Sequence, residues 1–257
     1  MKNTIVATAT FYTSVKEARF QCAERLVRNC VLLYGIPIYV VDGSGPEVNE
    51  RLRLAGSILE HQSDPGMGPG RRQLFASVEN HLAQRGENPE KTYVCWTEPE
   101  KDTFAEFIPT LIEPLESDKA DIVIFERTEK SLASLPKMQH KFEDFSDFLF
   151  QKATGIKAKP FAGPMVFRAS LLSIFKNADP RKYGVRDGYV QFTALIEAVA
   201  AGHRIVGKEV DFIYPADQVA EEEGPKALEM FERRREQQDH LGRGFFAHAD
   251  ILGLPKR

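Results

Sequence analysis

Thr92-Tyr93-Val94-Cys95-Trp96 is a run of β-branched, aromatic and other apolar-leaning residues that stops against Thr97-Glu98-Pro99-Glu100. The run reads as a short buried strand. Pro99 fixes its own φ and restricts Glu98, so the chain leaves the strand in an irregular turn. Two carboxylates one residue apart at a strand end can then face one site. Paired hard oxygen ligands suit Mg2+ or Mn2+, with a substrate pyrophosphate supplying further oxygens. The plainer reading is a solvated acidic turn.

The same pattern recurs on either side. Residues 4–9 (TIVATA), 37–41 (PIYVV), 57–60 (SILE) and 120–125 (ADIVIF) read as further strands. Within residues 14–33, Val15, Ala18, Cys22, Leu26, Val27, Cys30 and Val31 recur at gaps suited to one helix face. Helices are also predicted over 47–55, over a segment holding Gln73, Phe75, Val78 and Leu82 that ends at Gln84, and over 104–115. Residues 64–70 (DPGMGPG) read as a turn-rich loop. Alternating strands and helices with short connections imply an α/β fold: a mostly parallel, Rossmann-like sheet flanked by helices. Ligands in such sheets bind at the carboxyl ends of the strands. Those ends are Asp42-Gly43-Ser44, residues 62–70, and Glu98-Pro99-Glu100.

The second half is less regular. Residues 142–152 predict an aromatic-rich helix, 161–168 a turn feeding a short strand, and 189–201 a helix. Residues 204–206 and 210–214 predict two strands separated near Gly207. Residues 225–240 predict a charged helix with Pro225 at its first position. Glu221-Glu222-Glu223 and Arg233-Arg234-Arg235 read as solvated faces. No linker or low-complexity stretch divides the chain, so a single compact domain is expected.

Thirty-seven acids against 34 bases in 257 residues leave a net charge of −3. That balance argues against a dedicated nucleic-acid binder, which carries a basic excess. Three cysteines, Cys22, Cys30 and Cys95, cannot all pair and include no CxxC, so a reduced, cytoplasmic location is expected. No apolar run approaches the ~18 residues of a membrane span, and the first residues lack a signal-peptide pattern. The six histidines show no HxH or HExxH, which argues against zinc, and Ser44 lacks the frame of a hydrolase nucleophile.

Residues 93–100, then Glu106-Phe107-Ile108-Pro109-Thr110-Leu111-Ile112, then Ala120-Asp121-Ile122-Val123-Ile124, resemble the central region of GT-A glycosyltransferases. Family 2, with the dolichyl-phosphate mannose synthases, is the most similar. There a strand ends in Asp-x-Asp, a helix of Ile-Pro-x-Leu-Ile type follows, and an Ala-Asp-Ile-Val strand comes next. In this register Glu98 and Glu100 stand on the two aspartates, one methylene longer. Ile38-Tyr39-Val40-Val41-Asp42-Gly43-Ser44 resembles the family's Val-Asp-Asp-Gly-Ser with one aspartate in place of two. Gly66-Met67-Gly68-Pro69-Gly70-Arg71-Arg72 resembles its glycine-rich entry to a helix.

The resemblance implies a GT-A fold, with residues 1–128 as nucleotide-binding half, 129–224 as acceptor-side half and 225–257 as C-terminal helix and tail. It implies sugar transfer from a nucleotide-diphosphate sugar to an unknown acceptor, with Mn2+ or Mg2+ at Glu98 and Glu100 and, as in some GT-A enzymes, a late residue such as His240 or His248 completing the site from a C-terminal lid. Donor contacts fall to Thr8, Asp42, Asp64, Arg71, Arg72, Glu98 and Gly163. The family's acceptor-side region commonly supplies a carboxylate as catalytic base, and Asp187, or else Glu197, is the candidate there. Each has a local alternative: a strand residue for Thr8, an Asx-turn for Asp42, turn initiation with Pro65 for Asp64, first-turn surface bases for Arg71 and Arg72, punctuation for Gly163, a helix N-cap for Asp187. A homo-oligomer is compatible with this reading. Two other readings stay open: a nucleotidyltransferase of similar fold, and a non-catalytic relative that binds a nucleotide sugar or a protein partner.

Overall fold

The computed structural model describes residues 3–224 and 226–254. Among them, strands β1 (Thr4–Thr10), β2 (Ile38–Asp42), β3 (Ile58–His61), β4 (Tyr93–Trp96), β5 (Ile122–Arg127), β6 (Met165–Arg168) and β7 (Ile205–Val210) form one sheet in the order β3-β2-β1-β4-β6-β5-β7. Every pairing is parallel except those of β6, which runs antiparallel between β4 and β5.

The sheet is covered on both faces, which is why its central strands are apolar throughout. Side chains alternate across it. Val6, Val40 and Cys95 face helices α1 (Ala18–Tyr34), α2 (Pro46–Ala55) and α4 (Ile108–Glu116). Ala7, Val41, Val94 and Trp96 face α3 (Met67–Gln84), α6 (Lys137–Thr154), α7 (Leu172–Asn177), α8 (Val190–Ala200) and α10 (Ala227–Ile251). Two short helices, α5 (Glu129–Ala133) and α9 (Ala216–Glu223), complete the chain. The expected single α/β domain with a mostly parallel mixed sheet is present. No helix among the described residues is long and apolar enough to cross a membrane.

Several local expectations are corrected. The glycine-rich stretch is not all loop: α3 begins at Met67 and takes in Gly68, Pro69 and Gly70. Pro69 is tolerated because first-turn N–H groups have no intrahelical partner. The predicted break near Gly207 is absent, and β7 runs unbroken from Ile205 to Val210. A Cβ at Gly207 would lie 1.8 Å from Glu126 Oε1, so this glycine clears room for a cross-strand side chain. Residues 211–214 form no strand. Helix α10 continues beyond 240 to Ile251, because Leu241, Gly244, Phe245, His248 and Ala249 give it a buried stripe. Pro225 lies outside the described residues. The acidic and basic runs are not simply solvated: Arg234 pairs with Glu222 at 2.7 Å, each side chain 16% exposed, tying α9 to α10.

Candidate functional site

The carboxyl ends of β1, β2 and β4 bring most of the expected residues together. Asp42 closes β2 and is fully buried. Its carboxylate accepts from the Thr10 hydroxyl at 2.5 Å, the Ser44 hydroxyl at 2.7 Å and the Ser44 amide at 3.0 Å. Ser44 Oγ in turn accepts from the Tyr12 amide at 2.8 Å. Asp42 therefore builds the turn that shapes the strand ends. Thr8 is buried, and its hydroxyl donates to the Thr97 carbonyl at 2.8 Å, joining β1 to the loop after β4. Asp64 is exposed, and its carbonyl accepts from Gln62 Nε2, which also reaches Gly66 O.

The loop after β4 is an ionic lattice. Lys101 Nζ lies 2.6 Å from Glu98 Oε2. Arg19, in the first turn of α1, pairs with Glu100. Arg25 pairs with Asp102 at 2.7 Å, and Asn29 donates to the Asp102 carbonyl at 2.8 Å. Gly163 follows a short 3-10 turn and has φ +100°. A Cβ there would lie 2.0 Å from Glu98 Oε2, so the close approach this glycine admits is that of a carboxylate in the same chain.

Arg72 and Asp187 form a bidentate pair at 2.6 and 2.7 Å. The Arg72 hydrogen bonds hold the Asp187 carboxyl below its usual range, against the opposing effect of burial. A general base works best with a pKa near the operating pH and a free lone pair. Asp187 lacks the first and has both oxygens engaged by Arg72, and Gly68 is small because the Asp187 carboxyl packs on it. Asp187 also lies outside α8, whose N-cap is Tyr189. Glu197 sits on α8, and burial raises its carboxyl above the ordinary value.

Arg71 differs from its neighbours. Its guanidinium donates to the Gly188 carbonyl and to Gln191 Oε1, both neutral acceptors. It lies over the Trp96 ring, 5.0 Å from the centroid. Burial lowers its pKa while Glu98 and Glu100 pull the other way, and a guanidinium stays charged regardless. Phe11, at the end of β1 and 66% exposed, flanks Gly43. Sequence reasoning missed Phe11 because exposure is a tertiary property. It also missed Arg19 and Lys101 as partners of the acids, although Lys101 directly follows Glu100.

The donor set for a divalent ion is weak. Glu98 and Glu100 are each engaged by a cation, and the described residues hold no cluster of three or more His, Cys, Asp or Glu disposed for a metal. His248 is buried with its ring stacked on Tyr183. Mn2+ or Mg2+ between Glu98 and Glu100 would sit against Lys101 and Arg19, whose charges already neutralise both carboxylates, so the residues present do not fit the ion.

A polar cavity of 190 Å³ opens beside Glu98 and Lys101, walled by Glu143 and Ser146 on α6 and by Arg234 and Gln238 on α10. Small-molecule pockets run to about 300–1,000 Å³, so this one suits a single ring or acceptor group. A larger cavity of 540 Å³, near Tyr93, Asp121 and Arg168, lies at the opposite end of the sheet. Ligands of such sheets bind at the carboxyl end, so it is not assigned.

No protein-family profile matches the chain, and no curated protein matches it. Solved structures do. Glucosyl-3-phosphoglycerate synthase from Mycobacterium tuberculosis, in complex with Mn2+, UDP and glucosyl-3-phosphoglycerate, is similar with a TM-score of 0.55 and 14% identity over 98% of this chain and 81% of that one. Its complex with Mn2+, UDP-glucose and glycerol 3-phosphate gives the same values. Its complex with phosphoglyceric acid gives 0.54 and 13% over the same shares. At such identity the likeness is one of architecture, and the chain has the Rossmann-like GT-A fold.

Proposed function

We propose that this chain is a glycosyltransferase that takes a sugar from a nucleotide-diphosphate sugar, with UDP as the nucleotide. The observation that carries this reading is Arg71: a charge held by neutral acceptors, in the first turns of α3, at the strand ends where this fold binds ligands. An arginine there can give charge-assisted bonds to a diphosphate. The solved structures of like fold carry UDP or UDP-glucose, which supports the choice of nucleotide.

In this reading Phe11 offers a platform for the base beside the turn that Asp42 and Ser44 build. The diphosphate meets Arg71, and the sugar reaches toward Glu98, Lys101 and the small polar cavity. Thr8, Asp42, Asp64 and Gly163 shape the donor site from behind. Arg72 and Asp187 fix the start of α3 against the turn before α8. Donor binding in this reading falls mainly to residues 1–128, with Gly163 contributed by residues 129–224, the half that faces the acceptor. Stabilising charge on the departing diphosphate is the main catalytic contribution.

A thermal-shift screen of UDP-, GDP- and CDP-sugars tests the reading. A ligand that binds only the native state stabilises by about 2.7 kcal/mol at a hundredfold excess over Kd. UDP-glucose should raise Tm, and Arg71→Gln should abolish the shift. No response to any nucleotide sugar would refute the proposal.

A further inference from the structure

We infer that the diphosphate site uses the chain's own cations in place of a divalent ion. The inference rests on the transferase reading above and concerns how that same site neutralises its ligand.

The argument begins with charge. Two carboxylates and one divalent ion cancel. Here Glu98 and Glu100 are cancelled by Lys101 and Arg19, while Asp42 keeps its hydroxyl and amide donors and Arg71 its neutral acceptors. The balance expected of a metal site is reached by side chains alone.

Geometry gives the arrangement permanence. Glu98 is wedged against the Gly163 backbone at a spacing no Cβ would allow. Glu100 is reached from the first turn of α1, and Asp102, two residues on, is clamped to the same helix by Arg25 and Asn29. The loop is braced to α1 at Glu100 and Asp102. An incoming dication would meet Arg19, Lys101 and Arg71 as like charges, beside two carboxylates that cations already neutralise. Removing one partner of a partly buried pair leaves the other charge uncompensated.

Arg71 is the group left to meet the ligand. Its acceptors are neutral, so a diphosphate oxygen is the strongest acceptor it can find. Its position over Trp96 keeps the guanidinium in place without consuming its charge.

Isothermal titration of the full chain with UDP tests this, once in EDTA and once in Mn2+. The expected Kd values agree within threefold. A Kd weakened threefold or more by EDTA overturns the inference and leaves the transferase reading standing. No UDP binding in either buffer overturns both. Glu100→Gln separates the two roles of that carboxylate. As the partner of Arg19 it can be lost with unchanged or tighter UDP binding in Mn2+; as a metal ligand its loss should cost tenfold or more, which would overturn the inference. Arg71→Gln should weaken UDP at least tenfold in EDTA, with Arg71→Lys recovering part. Unchanged affinity in folded Arg71→Gln, judged by its melting curve, would also overturn it.

Discussion

Alanine at position 163 should cost far more than one methyl group. Gly163 sits at φ +100°, where an L side chain is strained by roughly 1–2 kcal/mol. The added Cβ would also fall 2.0 Å from Glu98 Oε2 and 2.4 Å from Oε1, so Glu98 must leave its place. Its departure strips Lys101 of a partner at 2.6 Å, where the ammonium side chain is only 12% exposed. That loss adds about 1–2 kcal/mol, more than an exposed pair because the lysine is nearly covered. Gly163→Ala should therefore destabilise by about 2–4 kcal/mol in urea unfolding, among the larger effects of a single substitution.

The steric part can be isolated. Glu98→Ala removes the carboxylate that the new Cβ would strike. In the double variant Gly163→Ala/Glu98→Ala only the backbone strain and the unpaired lysine remain. Its cost should fall short of the sum of the two single costs by about 1 kcal/mol or more. Sites without contact add to within about 0.3–0.5 kcal/mol. Additivity at that level would show that Gly163 is a turn glycine only, and that Glu98 is not pinned against it.

Two further predictions concern buried titrating groups. His248 is 1% exposed, its Nε2 has no partner, and burial pulls its pKa down to about 4. The unfolded chain binds this proton first as pH falls, so its contribution is intact above about pH 6.5 and is lost progressively toward 4. Between pH 7 and 4.5 the wild type should lose about 2–3 kcal/mol more than His248→Leu in urea unfolding, and equal slopes would refute this. Asp147 is buried, accepts from the Phe161 amide at 3.0 Å, and is raised well above the usual carboxylate range by burial, with Glu143 and Glu126 adding to the rise. A raised acid favours the folded state only at low pH and opposes it as pH climbs. Asp147→Asn should therefore melt higher than wild type at pH 7, with the gap closing toward pH 4; a lower Tm at pH 7 would count against it.

The sheet was legible where strand and helix alternate, because buried strands in a parallel sheet are short, apolar and regularly spaced. β6 was harder. Residues 165–168 read as a strand, but so short an apolar run looks the same in either direction, and only the pairing with β4 and β5 sets it antiparallel. α10 was cut short because its charged first half hides the buried stripe that begins at Leu241. The Asx-turn at Asp42 was one of two local alternatives, and it was readable because its bonds to Ser44 span two residues.

The ion pairs of the site have no such local signal. Arg19 and Glu100 are 81 residues apart, and Arg72 and Asp187 are 115 apart. Neither pairing follows from spacing, yet both follow from electrostatics once the fold sets the neighbours. A carboxylate partly withdrawn from water must find a cation or hydrogen-bond donors. At these strand ends Asp42 found hydroxyls and an amide, Glu98 found Lys101, Glu100 found Arg19 and Asp187 found Arg72. Asp42, Glu98, Glu100 and Asp187 are thereby each satisfied within the chain. Among the described cations of the site, Arg71 is the one held by neutral acceptors, so the site is read by that cation and not by the acids first noticed.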